Sequence, residues 1–156
     1  MIRRHGARPR PGLRHAMRPG AYAILIRDGR ILLTGQDTAS GLDVQLPGGG
    51  IDPGESPRPA LLREVMEETG HGAAPIRHLA TYRRFVWMPD YAIHAEKVCH
   101  VFLGRPGPRR GPPTEPGHRA IWADPGDAVG LLWSDGDAAV LRSYLSGRLP
   151  SGRKVK

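Results

Sequence analysis

The chain has 156 residues, of which 39% are apolar, and a formal net charge of +8. This length suits one domain with an ordinary hydrophobic core, and no run of 18 apolar residues indicates a transmembrane helix. The Arg-rich N-terminus lacks the apolar segment of a secretory signal, and the single cysteine, Cys99, excludes an internal disulfide. We therefore expect a cytoplasmic protein with no membrane partner.

The positive charge is concentrated at the two ends of the chain. Residues 1–18 contain six arginines, residues 148–156 contain four basic residues, and neither end contains an acidic residue. Of the 23 basic and 15 acidic residues in the chain, those left in 19–147 carry a net charge of −2. A nucleic-acid groove would place its charge on the folded surface, so we expect a disordered basic arm over 1–18, a folded domain over 19–147 and a basic tail over 148–156. Nucleic acid is thus an unexpected partner, although weak binding of polyanions by the arm stays open.

Six segments have the apolar or alternating pattern of strands. The first two are separated by Asp28-Gly29, a pair typical of a β-hairpin turn. Residues 36–43 and the Pro- and Gly-rich segment 104–117 are predicted as loops. The predicted strands are 21–27, 30–35, 44–46, 78–87, 91–103 and 120–122.

Two helices are predicted between and after these strands. The first has Ser56 as its N-cap, and it ends at Gly70, a typical C-terminal stop. The second has Ser134 as its N-cap and covers roughly 135–146. Hairpins and strands interleaved with two helices predict an α/β fold in which helices cover a mixed sheet.

The first helix carries a group of acidic residues. Glu64, Glu67 and Glu68 stand at positions i, i+3 and i+4, which places three carboxylates on one helical face. A cation between them would relieve their repulsion, and hard oxygen ligands favour Mg²⁺ or Mn²⁺ over zinc. The alternative is a solvated acidic face with no bound ion. Glycines at 48–50 allow backbone groups to approach a ligand closely, whereas the missing Gly-Lys-Ser/Thr sequence excludes a P-loop.

The same segment contains a longer spaced motif. Its members are Gly49, five residues, Glu55, seven residues and then Arg63-Glu64-Val65-Met66-Glu67-Glu68-Thr69-Gly70. This pattern resembles the Nudix box of the Nudix (MutT-like) hydrolases, and the resemblance extends over 19–147. It implies a Nudix-type α/β/α sandwich with a mixed β-sheet between helices. His71 and Val44 depart from the family pattern, and we expect packing differences only, with His71 facing solvent.

The resemblance also implies roles for the matching residues. Arg63, braced by Glu55, would hold the glutamates in place, although helical geometry alone directs its side chain about 100° away from Glu64. Glu64 or Glu67 could instead orient or deprotonate the attacking water. The implied ligands of the divalent cation, Mg²⁺ or Mn²⁺, are Glu64, Glu67, Glu68 and the backbone carbonyl of Gly48.

Other candidate site residues lie outside the box. In several branches of the family an acid from a later loop serves as ligand or base, and Glu115 is the candidate here, followed by His118 and then by Glu96. Aromatic side chains could stack on a base or simply pack. Arg83 and Arg84 could contact phosphates or simply face water. The aromatic candidates are Tyr82, Phe85, Trp87 and Tyr91.

The expected reaction is hydrolysis of a pyrophosphate bond in a nucleoside diphosphate linked to another moiety. We favour a (deoxy)nucleoside triphosphate that yields a monophosphate and pyrophosphate. The alternatives are an ADP-ribose or dinucleoside polyphosphate hydrolase, an RNA 5′-pyrophosphohydrolase and a catalytically inactive nucleotide-binding module. A Pro or Tyr at set distances after the box marks the ADP-ribose and dinucleoside polyphosphate branches of the family. Pro89 and Tyr91 lie near these positions but not on them. The partner is a nucleotide-type small molecule, and a homodimer stays open.

Overall fold

The computed structural model describes residues 2–74 and 76–149. None of the helices in these ranges has the length and apolar character needed to cross a membrane. The strands are β1 (Arg3–Arg4), β2 (Ala16–Arg27), β3 (Arg30–Thr38), β4 (Gly41–Gln45), β5 (Gly48–Gly50), β6 (His71–Ala73), β7 (Arg77–Met88), β8 (Ile93–Gly104), β9 (Pro106–Arg109) and β10 (His118–Ala123). The helices are α1 (Pro57–Thr69), α2 (Pro125–Leu131) and α3 (Asp135–Leu145), with a 3₁₀ turn at Pro89–Tyr91.

Eight of the strands form one mixed sheet in the order β1-β7-β8-β2-β3-β10, with β4 added on β3 and β5 on β2. Strand β2 is central: it pairs parallel with β8 and antiparallel with β3 and β5. Gly20 in β2 therefore has Cys99 of β8 on one side and Gly50 of β5 on the other. The start of β2 thus lies between a long strand and the glycine loop that leads to α1.

The two faces of β2 pack against different helices. Odd-numbered residues of β2 share a buried cluster with Leu61 and Val65 of α1. Even-numbered residues, Tyr22 and Ile24, share another with Leu141 of α3. Complete burial of one such leucine contributes roughly 1.5–3 kcal/mol, so both helices are fixed to the sheet by their apolar sides. The predicted α/β sandwich, with a mixed sheet between helices, is confirmed.

Helix α1 has the predicted ends. Pro57 starts the helix, where a missing N–H costs nothing, and Ser56 stands at the N-cap without a side-chain capping bond. Gly70 ends it in the left-handed region with φ of 75°, and its N–H donates to the Met66 carbonyl. A Cβ at Gly70 would collide with the carbonyl oxygen of Gly111, so the glycine also permits a close approach of the chain.

Several element predictions need correction. The predicted loop 36–43 is largely a β3–β4 hairpin, in which Thr38 pairs with Gly41. Polar side chains are tolerated there because edge strands expose one face to water. The predicted loop 104–117 contains β9, which pairs with β6. Helix α2 was not predicted because its seven residues include Gly126 and Gly130, which weaken any helical pattern.

The N-terminal arm also differs from its prediction. Arg3 and Arg4 form a strand parallel to β7, and the N–H of His5 donates to the Arg83 carbonyl at 3.0 Å. Strand β2 begins at Ala16, before the predicted domain start at residue 19. Backbone pairing with an edge strand needs no particular side chain, so composition could not reveal it. Most of the predicted basic tail, 148–156, lies outside the described residues.

Candidate active site

A polar cavity of about 420 Å³ lies where α1 meets β5 and the start of β2. Six of the predicted site residues line it: Gly48, Arg63, Glu64, Glu67, Glu68 and Glu115. The seventh, Glu55, reaches the cavity through its ion pair with Arg63. The structure thus gathers the predicted set around one space, while their roles in chemistry stay predictions.

Arg63 is the hub of the acidic cluster. Its Nη2 and Nε donate to Oε1 and Oε2 of Glu55 at 3.0 and 3.3 Å, a two-pronged contact. Its Nη1 donates to Glu64 at 3.1 Å and to Glu67 at 3.4 Å. The expectation from helical geometry, that the Arg63 side chain points away from these glutamates, is wrong. The long side chain bends back across the turn and contacts them. The hydrogen bond from Arg63, with a backbone bond from Asp52, lowers the pKa of Glu55.

Glu68 is the deepest carboxylate of the cluster, with only 5% of its surface exposed. Its Oε2 is buried and accepts no hydrogen bond. Burial, then the charge of Glu64, raise the pKa of Glu68 to about 9, although a backbone hydrogen bond from Gly48 opposes them. A buried carboxylate oxygen without a partner is costly, so this atom marks a place where a cation would be stabilised.

Glu64 is held close to the glycine loop. A Cβ added at Gly49 would lie 2.6 Å from the Glu64 carboxyl carbon, so only glycine leaves room for that carboxylate. Half-burial of Glu64 raises its pKa, whereas the neighbouring Arg63 opposes the rise. Gly49 therefore permits a close approach between backbone and carboxylate. The predicted approach of the loop glycines to a ligand stays a prediction.

The loop before β10 brings Glu115 and His118 to the same cavity. The N–H groups of Thr114 and Glu115 donate to the Glu67 carbonyl at 2.8 and 2.9 Å, which anchors this loop on α1. His118 Nδ1 lies 2.9 Å from Thr34 Oγ1 and 3.7 Å from Glu68 Oε2. Burial lowers the pKa of His118, although the charge of Glu115 opposes this, so the neutral imidazole is favoured.

The carboxylates are not assembled as a ready-made ion site. Within residues 2–74 and 76–149, no three His, Cys, Asp or Glu side chains converge on one ion position. Arg63 accounts for this, because its guanidinium draws Glu64 and Glu67 onto itself. The donors still fit a hard divalent cation, since three carboxylates share a cavity and the Glu68 oxygen lacks a partner.

The other candidates are placed differently. Glu96 pairs with Arg83 at 3.4 Å and does not line the cavity, so neither residue is free to contact substrate there. Tyr82 is buried and donates to Asp137 Oδ1 at 2.6 Å, so it cannot stack on a base. Phe85 and Trp87 line a separate cavity against the N-terminal arm.

Only Tyr91 of the aromatic candidates reaches the acidic cavity, where its ring is exposed. Arg18 covers that ring, with its guanidinium carbon 4.5 Å from the centroid. Arg84 instead stacks on Trp133 at 5.0 Å. Stacking of a nucleobase by Tyr91 thus stays open, whereas the other three aromatic candidates are directed elsewhere.

His71 was expected to face solvent, and this is wrong. Its side chain is buried, with Nδ1 2.8 Å from the Gly107 carbonyl oxygen and its ring edge-on to Trp122. Strand β6 begins at His71 and pairs with β9, which turns the ring inward immediately after the helix ends. His71 therefore stabilises the junction of α1 with the small β6–β9 ladder and does not line the cavity.

Sequence reasoning missed two cationic residues of the cavity, Arg18 and Lys97. Arg18 was assigned to the basic arm, although it belongs to β2. Lys97 had a visible signal: in the alternating strand β8 it shares the period-two face of Cys99 and Val101, which are buried. A charged residue on the inward face of a strand indicates either a buried partner or a ligand.

Comparisons with known proteins identify the family of this chain. A family model described as "NUDIX domain" matches residues 16–144. A Bacillus subtilis protein whose name calls it a candidate 8-oxo-dGTP diphosphatase is 41% identical over 115 residues, which cover 73% of this chain and 64% of that protein. The CTP pyrophosphohydrolase of Escherichia coli is 29% identical over 130 residues, which cover 81% of this chain and 90% of that enzyme. Further relatives are named RNA pyrophosphohydrolase and are 42% identical over 89 residues.

A solved structure shows the same architecture. The NUDIX hydrolase from Nitrosomonas europaea has a TM-score of 0.69 at 21% identity, covering 83% of this chain and 89% of that one. At that identity the similarity shows the fold alone, and it confirms the predicted Nudix-type sandwich. With the family model spanning most of the chain and the box residues gathered around one cavity, the chain belongs to the Nudix family.

Proposed function

We propose that this chain is a nucleotide pyrophosphohydrolase that uses Mg²⁺ or Mn²⁺ to convert a nucleoside triphosphate into a monophosphate and pyrophosphate. The observation that carries the proposal is the buried, unpaired Oε2 of Glu68 beside two further carboxylates of the same helix. The names of the relatives, which include a candidate 8-oxo-dGTP diphosphatase and a CTP pyrophosphohydrolase, support this class of enzyme.

The cation would be held by oxygens of α1 and of the preceding loop. The ligands we propose are Glu64, Glu67, Glu68 and the backbone carbonyl of Gly48. A divalent cation held by these oxygens would neutralise phosphate charge and would lower the pKa of a nearby water. Mg²⁺ and Mn²⁺ suit an all-oxygen set of this kind.

The remaining residues position these ligands. Arg63, held by both oxygens of Glu55, fixes the side chains of Glu64 and Glu67 and keeps positive charge close to the cluster. Either Glu64 or Glu67 would accept the proton of the attacking water, and Glu115 in the anchored loop is a further acceptor. These alternatives differ in which carboxylate must be unprotonated at the start of the reaction.

The test is a substrate panel with Mg²⁺ or Mn²⁺. It contains the (deoxy)nucleoside triphosphates, oxidised dGTP, ADP-ribose, dinucleoside polyphosphates and 5′-triphosphorylated RNA. Added pyrophosphatase reveals released pyrophosphate, and added phosphatase reveals released monophosphates. Glu68→Gln is the inactive variant, and Glu96→Gln is its matched control because Glu96 pairs with Arg83 away from the cavity.

We expect triphosphates to give the highest turnover, Glu68→Gln to reduce it by at least about a hundredfold, and Glu96→Gln to leave it nearly unchanged. If ADP-ribose, a dinucleoside polyphosphate or RNA gave the highest turnover, the proposed pyrophosphate cleavage would stand and the proposed triphosphate substrate would be wrong. Absence of turnover on every substrate with both metals would overturn the enzymatic proposal and favour a nucleotide-binding module.

A further inference from the structure

Three cationic residues lie side by side on one face of the main sheet. Arg18 of β2 pairs in register with Lys97 of β8, and Lys97 pairs in register with Arg84 of β7. Residues that pair directly across strands project from the same face. The three positive charges are therefore neighbours, an arrangement that destabilises a sheet unless something of opposite charge offsets it.

Nothing in the described part of the protein pairs with these charges. No carboxylate forms an ion pair with Lys97, Arg18 or Arg84 in the described ranges. Arg84 turns its guanidinium onto Trp133, and its buried Nε has no hydrogen-bond partner. Burial of Lys97, then the charge of Arg84 and more weakly that of Arg18, lower the pKa of its ammonium group, whereas Cys99 and the buried carboxylate of Asp137 oppose this shift. Asp137 also interacts with Arg84. The row is thus a concentration of positive charge that Asp137 offsets from a distance and that no carboxylate contacts directly.

Arg18 and Lys97 stand at the junction of two cavities. Both line the acidic cavity that contains the α1 glutamates, and both line a neighbouring cavity of about 310 Å³. Tyr91 and Asp52 line the same two cavities. A molecule that extends from the glutamates into the second cavity must therefore pass the two cations.

We propose that Arg18 and Lys97 form an anion-binding subsite that holds a phosphate group of the substrate adjacent to the pyrophosphate bound at the α1 glutamates. The inference rests on the proposed function and deepens it. Carboxylates on α1 bind cations, whereas the ammonium and guanidinium groups on β8 and β2 bind the next phosphate, so the site selects chains of three phosphates over chains of two. Lys97 acts as a point charge for that phosphate, and Arg18 adds a guanidinium that is already stacked on Tyr91.

The rival explanation is that Lys97 only fills space in the sheet. The two explanations predict different effects for Lys97→Met, which preserves length and removes charge. If Lys97 only fills space, the variant changes stability and leaves phosphate binding intact. If it belongs to an anion subsite, the variant is more stable without ligand, because a partly buried charge without an ion-pair partner is gone, and it binds phosphate chains more weakly.

The experiment measures binding of inorganic tripolyphosphate and pyrophosphate by calorimetry. The full chain carries Glu68→Gln and is kept in EDTA, so that neither turnover nor metal–phosphate complexes contribute. Lys97→Met and Lys97→Arg are introduced into this background. Arg30→Met is the matched loss of one charge, because Arg30 is exposed in the hairpin at the other end of β2.

We expect Lys97→Met to weaken tripolyphosphate binding by at least about tenfold and to raise the melting temperature of the free protein. Lys97→Arg should retain the affinity for tripolyphosphate within roughly threefold, because the charge is kept. Arg30→Met should leave this affinity unchanged. An unchanged affinity of Lys97→Met for tripolyphosphate would overturn the subsite. So would a failure of the background protein, which retains Lys97, to bind tripolyphosphate at millimolar concentrations.

The two proposals can fail separately. Lys97-dependent binding of tripolyphosphate without turnover of any nucleotide would keep the subsite and overturn the proposed function. Turnover of nucleoside triphosphates with a KM that Lys97→Met leaves unchanged would keep the function and overturn the subsite. A rise in KM for triphosphates with little change in kcat supports both.

Discussion

At the scale of single residues, Glu68 shows how a side chain proposed as a metal ligand is held at a cost to the stability of the fold. Its carboxylate is buried beside Glu64, Glu67 and Glu115, and one oxygen has no partner. Burial and like charges raise its pKa from 4.5 to about 9. Without a cation, the folded state therefore binds a proton that the unfolded chain releases across that range.

The pKa of Glu68 predicts how stability depends on pH in the metal-free protein. A carboxyl group with a raised pKa in the folded state destabilises the fold progressively as the pH rises from about 4.5 towards 9. Glu68→Gln removes this contribution. We expect the free energy of unfolding of the variant to equal that of the parent near pH 5 and to exceed it by roughly 1–3 kcal/mol at pH 8. Urea unfolding in EDTA measures both values.

Glu96→Gln is the control for that measurement, because Glu96 is partly exposed and paired with Arg83. It should show no comparable gain in stability at pH 8. An unfolding free energy of Glu68→Gln that equals that of the parent at both pH values would contradict the assigned burial of an unpaired carboxylate.

Gly49 provides a second prediction at this scale. Gly49→Ala places a Cβ 2.6 Å from the Glu64 carboxyl carbon, so the carboxylate must move. We expect turnover to fall by about tenfold or more while the unfolding free energy changes by less than about 1 kcal/mol, because Glu64 can rotate towards solvent. Activity assays and urea titrations measure both quantities.

Gly50→Ala is the matched variant, since no atom lies within 4 Å of a Cβ at Gly50 and its φ is not positive. It should retain most of the activity. Equal losses in the two alanine variants would show that the position of the Glu64 carboxylate is not what Gly49 protects.

At the scale of elements, the end of α1 is held by packing as well as by backbone conformation. Gly70 has a φ of 75°, and a Cβ there would collide with the Gly111 carbonyl oxygen. The loop that carries Glu115 also binds here, through the N–H of Arg110 and the Gly70 carbonyl at 2.8 Å. The end of the helix and the loop that carries Glu115 are therefore one structural unit.

Gly70→Ala is expected to lower the free energy of unfolding by about 2 kcal/mol or more. The alanine would be strained by the left-handed backbone conformation, and its Cβ would collide with the backbone of Gly111. Gly72→Ala is the comparison variant, as nothing lies within 4 Å of a Cβ at Gly72. Denaturant titrations of both proteins give the measurement. A loss confined to the Gly72 variant, or none in Gly70→Ala, would contradict the close approach of the Gly111 segment.

The same elements show what the sequence could and could not predict. Helix α1 was predictable because local chemistry determines both of its ends, at Pro57 and Gly70. Strand β1 and helix α2 were not, because β1 depends on a vacant edge of β7 and α2 is too short for a helical period to be recognised. Spacing alone places the glutamates on one face, but it does not reveal the reach of Arg63.

Residues whose environment comes from distant segments were the hardest to predict. His71 is buried because β9 lies beside it, and the buried hydroxyl of Tyr82 donates a hydrogen bond to Asp137 of α3. Lys97 shares the cavity only because β8 lies between β2 and β7. None of these contacts follows from a sequence period, because each depends on the order of strands in the sheet.

At the scale of the whole molecule, charge is divided between a central acidic cluster, a cationic row on the sheet and basic ends. The arm supplies β1, which covers part of the edge of β7, while the family match begins at residue 16. Residues 1–15 therefore contribute to the sheet without lining the acidic cavity. We expect the arginines of this segment to contact longer anionic substrates, if such substrates bind.

Removal of residues 1–15 tests this division. We expect turnover of free nucleoside triphosphates to stay within about twofold and the unfolding free energy to fall by roughly 1 kcal/mol, because an edge strand of two residues is lost. Kinetic assays on free nucleotides and on 5′-triphosphorylated RNA give the comparison. A selective loss of RNA turnover would assign the arm to RNA, whereas loss of nucleotide turnover in a folded truncated protein would contradict its separation from the site.

The most direct measurement of the central claim is phosphorus NMR of the products formed from a nucleoside triphosphate with Mg²⁺ or Mn²⁺. We expect a nucleoside monophosphate and pyrophosphate in equal amounts, with neither formed by Glu68→Gln. A nucleoside diphosphate with inorganic phosphate, or equal product formation by Glu68→Gln, would contradict pyrophosphate cleavage at the α1 glutamates.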